Sequence, residues 1–349
     1  MIIAESPELL TAEWLSDALD TKVTDVGITP VGTGQMCDSV RLQLTYGAGS
    51  DGPSSIIAKL PAADETSRTT ALNLRSYEIE VRFYQLIAPD LPMRTPHVLY
   101  SDIDTATASF VLLMEDMAPA RQGDQLAGCT VDEATIAIDE LVKLHAPRWD
   151  DPKLKEYDWL YRDPETGRMF MLGMLPMFWQ GFRDRYADRL GLDVHEAGDA
   201  LFANLERYLT VDNEPLTIVH GDYRLDNLLF GSPKAPIAVV DWQTCALGTA
   251  MSDVAYFIGA GLLVDDRRPV ERELVQRYYD GIVAAGVEGY AFARAWDGYR
   301  RGTFAGLIMA IAASMLVERT ERGDDMFMAM AHRHARHAID LDATTMLAS

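Results

Sequence analysis

His220-Gly221-Asp222-Tyr223-Arg224-Leu225-Asp226-Asn227 is followed, fourteen positions past its Asn, by Asp241 at the end of the run Ile237-Ala238-Val239-Val240. The β-branched run reads as a strand, and Gly221 removes the side chain where the backbone must turn sharply. The spacing predicts Asp222, Asn227 and Asp241 on neighbouring turns, as a magnesium-nucleotide phosphoryl-transfer site requires. Such transfer passes through a loose transition state and asks the protein for positioning and charge stabilisation. Asp222 would then orient the acceptor hydroxyl and take its proton late. Asn227 offers a neutral amide oxygen and Asp241 a charged one, both hard donors of the kind Mg²⁺ selects. By period-2 alternation Ile237, Val239 and Asp241 share one face of the strand, so the carboxylate leaves the sheet edge. A plain hairpin whose Asp and Asn cap turns is the competing reading, and it leaves Asp241 without a role.

The 349 residues, with 48% hydrophobic and 24% charged content, suit a soluble globular enzyme with room for two lobes. The 53 acids against 31 bases give a formal charge of −22. That argues against a nucleic-acid partner, whose phosphates need neutralising bases. Residues 1–117 carry −10 of it and the remainder −12, so the acidity marks no site. Cys37, Cys129 and Cys245 are odd in number and far apart, which suggests neither a disulfide framework nor zinc and fits a reducing, cytoplasmic setting. The start shows no signal-like stretch. The longest apolar run, Phe304 to Val317, is fourteen residues, too short to span a bilayer, so no membrane partner is expected.

A helix is predicted to open at Ser6-Pro7-Glu8, with Leu9, Leu10, Trp14 and Leu15 as its apolar stripe. Residues 40–46 and 56–60 read as a hairpin, 69–87 as one helix, and 97–102 and 109–114 as two more strands. The expectation is α+β: a small five-stranded antiparallel lobe with one inserted helix over 1–117, then a larger, mainly helical lobe over 118–349. Helices are predicted near 131–146, 169–190 and 194–210 and from 242 to the end, with strand-loop-strand at 216–241.

Gly32 and Gly34 in Val31-Gly32-Thr33-Gly34-Gln35 read either as a phosphate-covering turn or as an ordinary hairpin pair. Lys59 points away from Ile56, Ala58 and Leu60. It is either a solvated edge charge or the residue that holds nucleotide phosphates, in which case it needs a carboxylate partner. Glu80 lies beside the inward stripe Leu72, Ser76, Ile79 and Phe83, whereas Glu78 faces Arg75 and Arg82, so Glu80 is the chosen partner. The apolar strand Phe110–Met114 runs into Glu115-Asp116-Met117, whose backbone suits an adenine edge or simply ends a strand. Arg224, two positions after Asp222, could offset γ-phosphoryl charge or merely pair with an acid. Met169, Phe170, Met171, Met174, Met177, Phe178 and Trp179 read as core, with an apolar acceptor pocket as the alternative. His332, His334 and His337 read as surface residues and not metal ligands.

These residues in order resemble the aminoglycoside phosphotransferase and choline kinase superfamily, and more closely its ecdysteroid-kinase-like branch, over nearly the whole chain. The resemblance implies a bilobal protein-kinase-like fold. It matches the nucleotide-holding lysine to Lys59, the helix glutamate to Glu80 in Glu80-Val81-Arg82-Phe83-Tyr84, and the acidic hinge to Glu115-Asp116-Met117. The catalytic loop matches His220–Asn227 and the metal-binding Asp-Trp matches Asp241-Trp242. Asp253 falls on a position regarded as structural. Protein kinases proper have Arg where Gly221 stands and an activation segment ending in Ala-Pro-Glu. Only eleven residues separate Asp241 from Asp253, and that motif does not follow.

The expectation is an ATP- and Mg²⁺-dependent kinase that phosphorylates a hydroxyl on a small molecule. Asp222 and Arg224 are its catalytic residues, Gly32, Gly34, Lys59, Glu80, Glu115 and Met117 bind nucleotide, and Asn227 and Asp241 hold metal. Aminoglycosides, choline-like alcohols, steroids and hydroxyacyl thioesters of coenzyme A are the acceptors the resemblance implies. The alternatives are a catalytically silent nucleotide-binding protein and a magnesium phosphohydrolase. Oligomeric state is left open.

Overall fold

A computed structural model describes residues 2–32, 36–161, 163–210 and 214–348. The chain forms two compact units, Met1–Asp90 with Arg94–Ala120 and Gly231–Thr244, and Leu91–Met93 with Arg121–Phe230 and Cys245–Ser349. The segment that ends in Asp241 thus clusters with the N-terminal unit.

In the first unit α1 (Ala12–Leu19) precedes β1 (Val23–Pro30), β2 (Cys37–Tyr46) and β3 (Ser55–Pro61); α2 (Glu65–Leu74) and α3 (Ser76–Leu86) follow, then β4 (Val98–Asp104) and β5 (Ser109–Glu115). The five strands form one antiparallel sheet in the order β1-β2-β3-β5-β4. Alternation works here as period 2 requires. Val40, Leu42, Leu44, Ile56, Ala58, Leu60, Val111 and Leu113 share a core with Trp14 and Leu15 of α1. Lys59, in register with Ser39 and Leu112, faces the other way.

Two helix boundaries differ from the sequence expectation. Pro7–Leu9 makes only a 3₁₀ turn, and α1 starts later because the Thr11 side chain accepts the Trp14 N–H at 3.2 Å and caps it. The single helix over 69–87 is two, α2 and α3, broken at Arg75, whose φ of +58° lies in the left-handed region. A left-handed residue closes one helix, and the chain re-enters at a new angle. Ile79, Glu80 and Phe83 are buried on α3, while Leu72, ahead of the break, stays exposed.

The second unit contains β6 (Arg121–Gln122), α4 (Val131–His145), α5 (Pro164–Arg185), α6 (Leu192–Ala203), α7 (Leu205–Leu209) and β7 (Thr217–Val219). Next come β8 (Leu228–Ser232), β9 (Ala235–Val239, in the first unit), β10 (Ala246–Gly248), α8 (Ala250–Gly261), α9 (Val264–Ala284), α10 (Phe292–Leu316), α11 (Glu321–Asp340) and α12 (Ala343–Ala348). A capping box between Thr130 and Glu133 starts α4. Trp179, Phe182, Leu201, Tyr256, Phe304, Leu307 and Met330 are among the residues of its core. α8 is buried on nearly every position and is approached closely by α10, because a Cβ at Gly302 would lie 2.8 Å from both Ala255 Cβ and the Met251 carbonyl oxygen. Among the described residues no helix is long and apolar enough to cross a membrane.

Candidate active site

In the first unit Lys59 Nζ lies 2.7 Å from both carboxylate oxygens of Glu80 and 2.8 Å from Oδ1 of Asp241. Lys59 and Glu80 are buried, with side chains 9% and 1% exposed, whereas the Asp241 side chain is 25% exposed. Burial alone would lower the Lys59 pKa, but the neighbouring negative charges, Asp241 foremost, hold it well above its ordinary value. Glu80 also accepts the Trp242 N–H at 3.3 Å, and Trp242 stacks on Phe83 with ring centroids 3.7 Å apart, which ties the Asp241-Trp242 turn to α3. Asp241 is not aimed by strand alternation, contrary to expectation. β9 ends at Val239, and the Asp241 backbone takes φ +69°, a conformation Asp tolerates better than most residues.

Of the remaining positions in this unit, Gly32 has φ +79° with no atom within 4 Å of where a Cβ would sit, and Gly34 lies outside the described residues. The Glu115 carboxylate holds Arg94 at 2.5 Å and the His97 N–H at 3.2 Å, and its own N–H donates to the His97 carbonyl at 2.8 Å. Met117 is buried, and its carbonyl accepts the Ala120 N–H at 2.9 Å. Asp116 is tied to Arg41 and Ser55.

In the second unit the loop His220–Asn227 turns at Gly221, φ +80°, as the sequence requires. Asp253 on α8 accepts the N–H groups of His220 at 2.7 Å and Gly221 at 3.0 Å and lies 3.3 Å from Nε2 of the buried His145. The Asp222 carboxylate takes Tyr256 Oη–H at 2.5 Å on Oδ1, and Arg224 Nε at 2.9 Å and Asn227 Nδ2 at 3.0 Å on Oδ2. Asn227 Nδ2 also donates to the Asp222 carbonyl at 2.9 Å. With its nitrogen so committed, the amide presents its oxygen elsewhere, as a hard-cation ligand must. Arg224 reaches Asp226 at 2.7 Å as well, and Asp226 in turn accepts the Gln125 N–H at 3.0 Å. Arg224 thus pairs with two acids, Asp222 and Asp226.

The family model described as the phosphotransferase enzyme family matches residues 43–296. The chain belongs to the phosphotransferase enzyme family. A microcompartment-associated aminopropanol kinase shares its fold at a TM-score of 0.55 and 16% identity, over 93% of this chain and 95% of that one. The ADP-bound aminoglycoside phosphotransferase APH(2″)-Ib does so at 0.51 and 14%, over 92% and 97%. The α+β, kinase-like fold is therefore this phosphotransferase's own. Among curated proteins, acyl-CoA dehydrogenase family member 10 of Mus musculus is 56% identical over 41 residues, 12% of this chain and 4% of that protein. Family member 11 of Homo sapiens is 45% identical over 47 residues, 13% and 6%. The matches span only those small fractions of the relatives' length.

The phosphotransferase departs from the sequence expectation in its helical unit. Met169, Phe170 and Met177 of α5 are exposed, at 58%, 52% and 72%, while Trp179 is core, so the stretch is only partly packed. His334 and His337 are fully buried and not surface residues. They follow Met326 and Met330 along the inner face of α11, and Gly306 leaves room for one of them: a Cβ there would fall 1.9 Å from His334 Nε2. Tyr256 and Gln125, which secure Asp222 and Asp226, belong to no motif. For Tyr256 the one sequence signal is a polar group on an otherwise buried helix; Gln125 binds Asp226 through its backbone and gives none.

Proposed function

We propose that this phosphotransferase moves the γ-phosphoryl group of ATP to a hydroxyl on a small molecule, with Mg²⁺, and that it stands closest to the ecdysteroid-kinase-like branch. The observation that carries this is the Asp222 carboxylate, held by three donors on a glycine turn beside Asn227. A fixed carboxylate suits orientation of an acceptor hydroxyl. Lys59, steadied by Glu80, is the group for the α and β phosphates, and Gly32 and the Glu115–Met117 backbone serve the nucleotide's two ends. Asn227 and Asp241 supply the hard oxygens that fit Mg²⁺, an ion that usually takes one or two protein ligands and phosphate oxygens. Bound there, the ion would neutralise charge on the phosphates. Arg224, while kept by Asp222 and Asp226, has further N–H donors on Nη2 for a γ-phosphoryl oxygen.

A second acceptor class is favoured by one observation: the short, high-identity matches are to proteins named for acyl-CoA. A hydroxyacyl thioester of coenzyme A fits that name, against the chain's charge of −22. The reading is tested with Mg·ATP and a panel of alcohols, amino sugars, sterols and hydroxyacyl thioesters. ADP plus a phosphorylated acceptor, lost in Asp222→Asn, is the expected result. Free phosphate released from phosphoesters would instead mean a phosphohydrolase, and no turnover with intact nucleotide binding would mean a silent protein.

A further inference from the structure

α8 holds the catalytic loop at two points one helical turn apart. Asp253 binds the loop's backbone, and Tyr256, at i+3 and so on the same face, binds its functional side chain. The Tyr256 ring is 3% exposed and rests against His334 with centroids 5.4 Å apart. A buried hydroxyl is costly without a partner, and here the partner is Oδ1 of Asp222 at 2.5 Å.

An ionised carboxylate has about four lone-pair sites. On Asp222, Oδ2 has both filled, by Arg224 Nε and Asn227 Nδ2, whereas Oδ1 has one filled, by Tyr256. One site therefore remains on Oδ1.

We propose that Tyr256 is the positioning residue of the catalytic base: its hydroxyl fixes Asp222 so that the second lone pair of Oδ1 receives the acceptor's proton. This rests on the kinase reading above. In the step it serves, the acceptor oxygen bonds to the γ-phosphorus as its proton passes to Oδ1. The bond from that phosphorus to the β,γ-bridging oxygen breaks, and its electron pair leaves with ADP. Phosphorylated acceptor, ADP and a proton result. Burial first, then the Asp222 charge, raises the Tyr256 pKa well above its ordinary value, so the phenol stays a donor throughout.

The test uses the full chain with Mg·ATP and water as the phosphoryl acceptor, measuring ADP formation. Turnover is expressed per Mg·AMP-PNP-binding site found by calorimetry, so that any misfolded fraction drops out. Tyr256→Phe is expected to lower kcat per site roughly 10- to 100-fold, the worth of a hydrogen bond to a charged group, with KM for ATP within about twofold of wild type. Wild-type kcat per site in Tyr256→Phe beside an inactive Asp222→Asn would overturn the proposal and leave the kinase reading standing. So would a raised KM with unchanged kcat per site, which would make Tyr256 a packing residue. Undiminished turnover in Asp222→Asn would instead remove the base, and the kinase reading with it.

Discussion

Replacing Lys59 by Met tests whether its buried ammonium is needed to keep two carboxylates together. The substitution preserves the stem's volume and deletes a charge 2.7 Å from both Glu80 oxygens and 2.8 Å from Asp241. Pairs this close are worth about 6 kcal/mol in Coulomb energy at an effective dielectric of 20. Desolvating each ion costs several kcal/mol in return, so the net worth of the intact cluster is small. Removing one member is different: the remaining buried charge is uncompensated, and such losses run to about 3–5 kcal/mol. Burial raises the Glu80 pKa, so the orphaned carboxyl can take up a proton, which puts the expected cost of Lys59→Met near the lower end, ~3 kcal/mol. Glu80→Gln leaves Lys59 paired with the more exposed Asp241 and should cost less. The double variant should recover about 1–3 kcal/mol relative to the sum of the singles, because residues in one network couple. Urea unfolding of the four proteins, followed by tryptophan fluorescence, measures each term. A Lys59→Met cost below about 1 kcal/mol, or strict additivity, would show that the cluster is not the energetic unit its geometry describes.

Three further outcomes are expected. Burial foremost lowers the pKa of His334 and His337 below 6.5, so the unfolded chain binds protons that the folded chain does not; stability is full above about pH 6.5 and falls below it by up to about 1.4 kcal/mol per pH unit per histidine. Urea midpoints between pH 7.5 and 5.5 measure this, and a flat profile would refute it. Gly306→Ala gains up to about 1 kcal/mol of helix propensity but drives a Cβ into the buried His334 ring, so a net loss of about 1–2 kcal/mol is expected, relieved in His334→Ala. Arg224→Ala should lower kcat at least about tenfold with modest change in nucleotide affinity; full turnover would return Arg224 to a purely structural pairing with Asp222 and Asp226.

What the sequence displayed, and what it hid, follows from how far each feature depends on distant chain. The turn at Gly221 and the grouping of Asp222, Arg224 and Asn227 are local, set by a glycine and a few following residues. The Lys59–Glu80 pair follows from two periods, that of a strand and that of a helix, and each is written in neighbouring residues. Arg75 in the left-handed region gave no sign, because arginine carries no preference for it. The direction of Asp241 was hidden for a related reason, since its own φ rather than the strand before it aims the carboxylate. His334 reads as solvated because Arg333 precedes it and Arg336 stands two positions on, yet it stands four and eight positions after Met330 and Met326 on a buried stripe. The space it fills is made by a glycine on another helix.

α8 is the instructive case. Eleven of its twelve residues are buried, so no apolar stripe distinguishes one face from another, and periodicity says nothing about what the helix is for. In such a helix the polar positions become the informative ones. A buried Asp and a buried Tyr each demand a partner, and at i and i+3 they demand it in the same place. Here that place is one loop, gripped by its backbone through Asp253 and by its carboxylate through Tyr256. The pair in Ser252-Asp253-Val254-Ala255-Tyr256 thus points to a loop held from outside more directly than the loop's own residues do, since a loop this short cannot fix a carboxylate without outside donors.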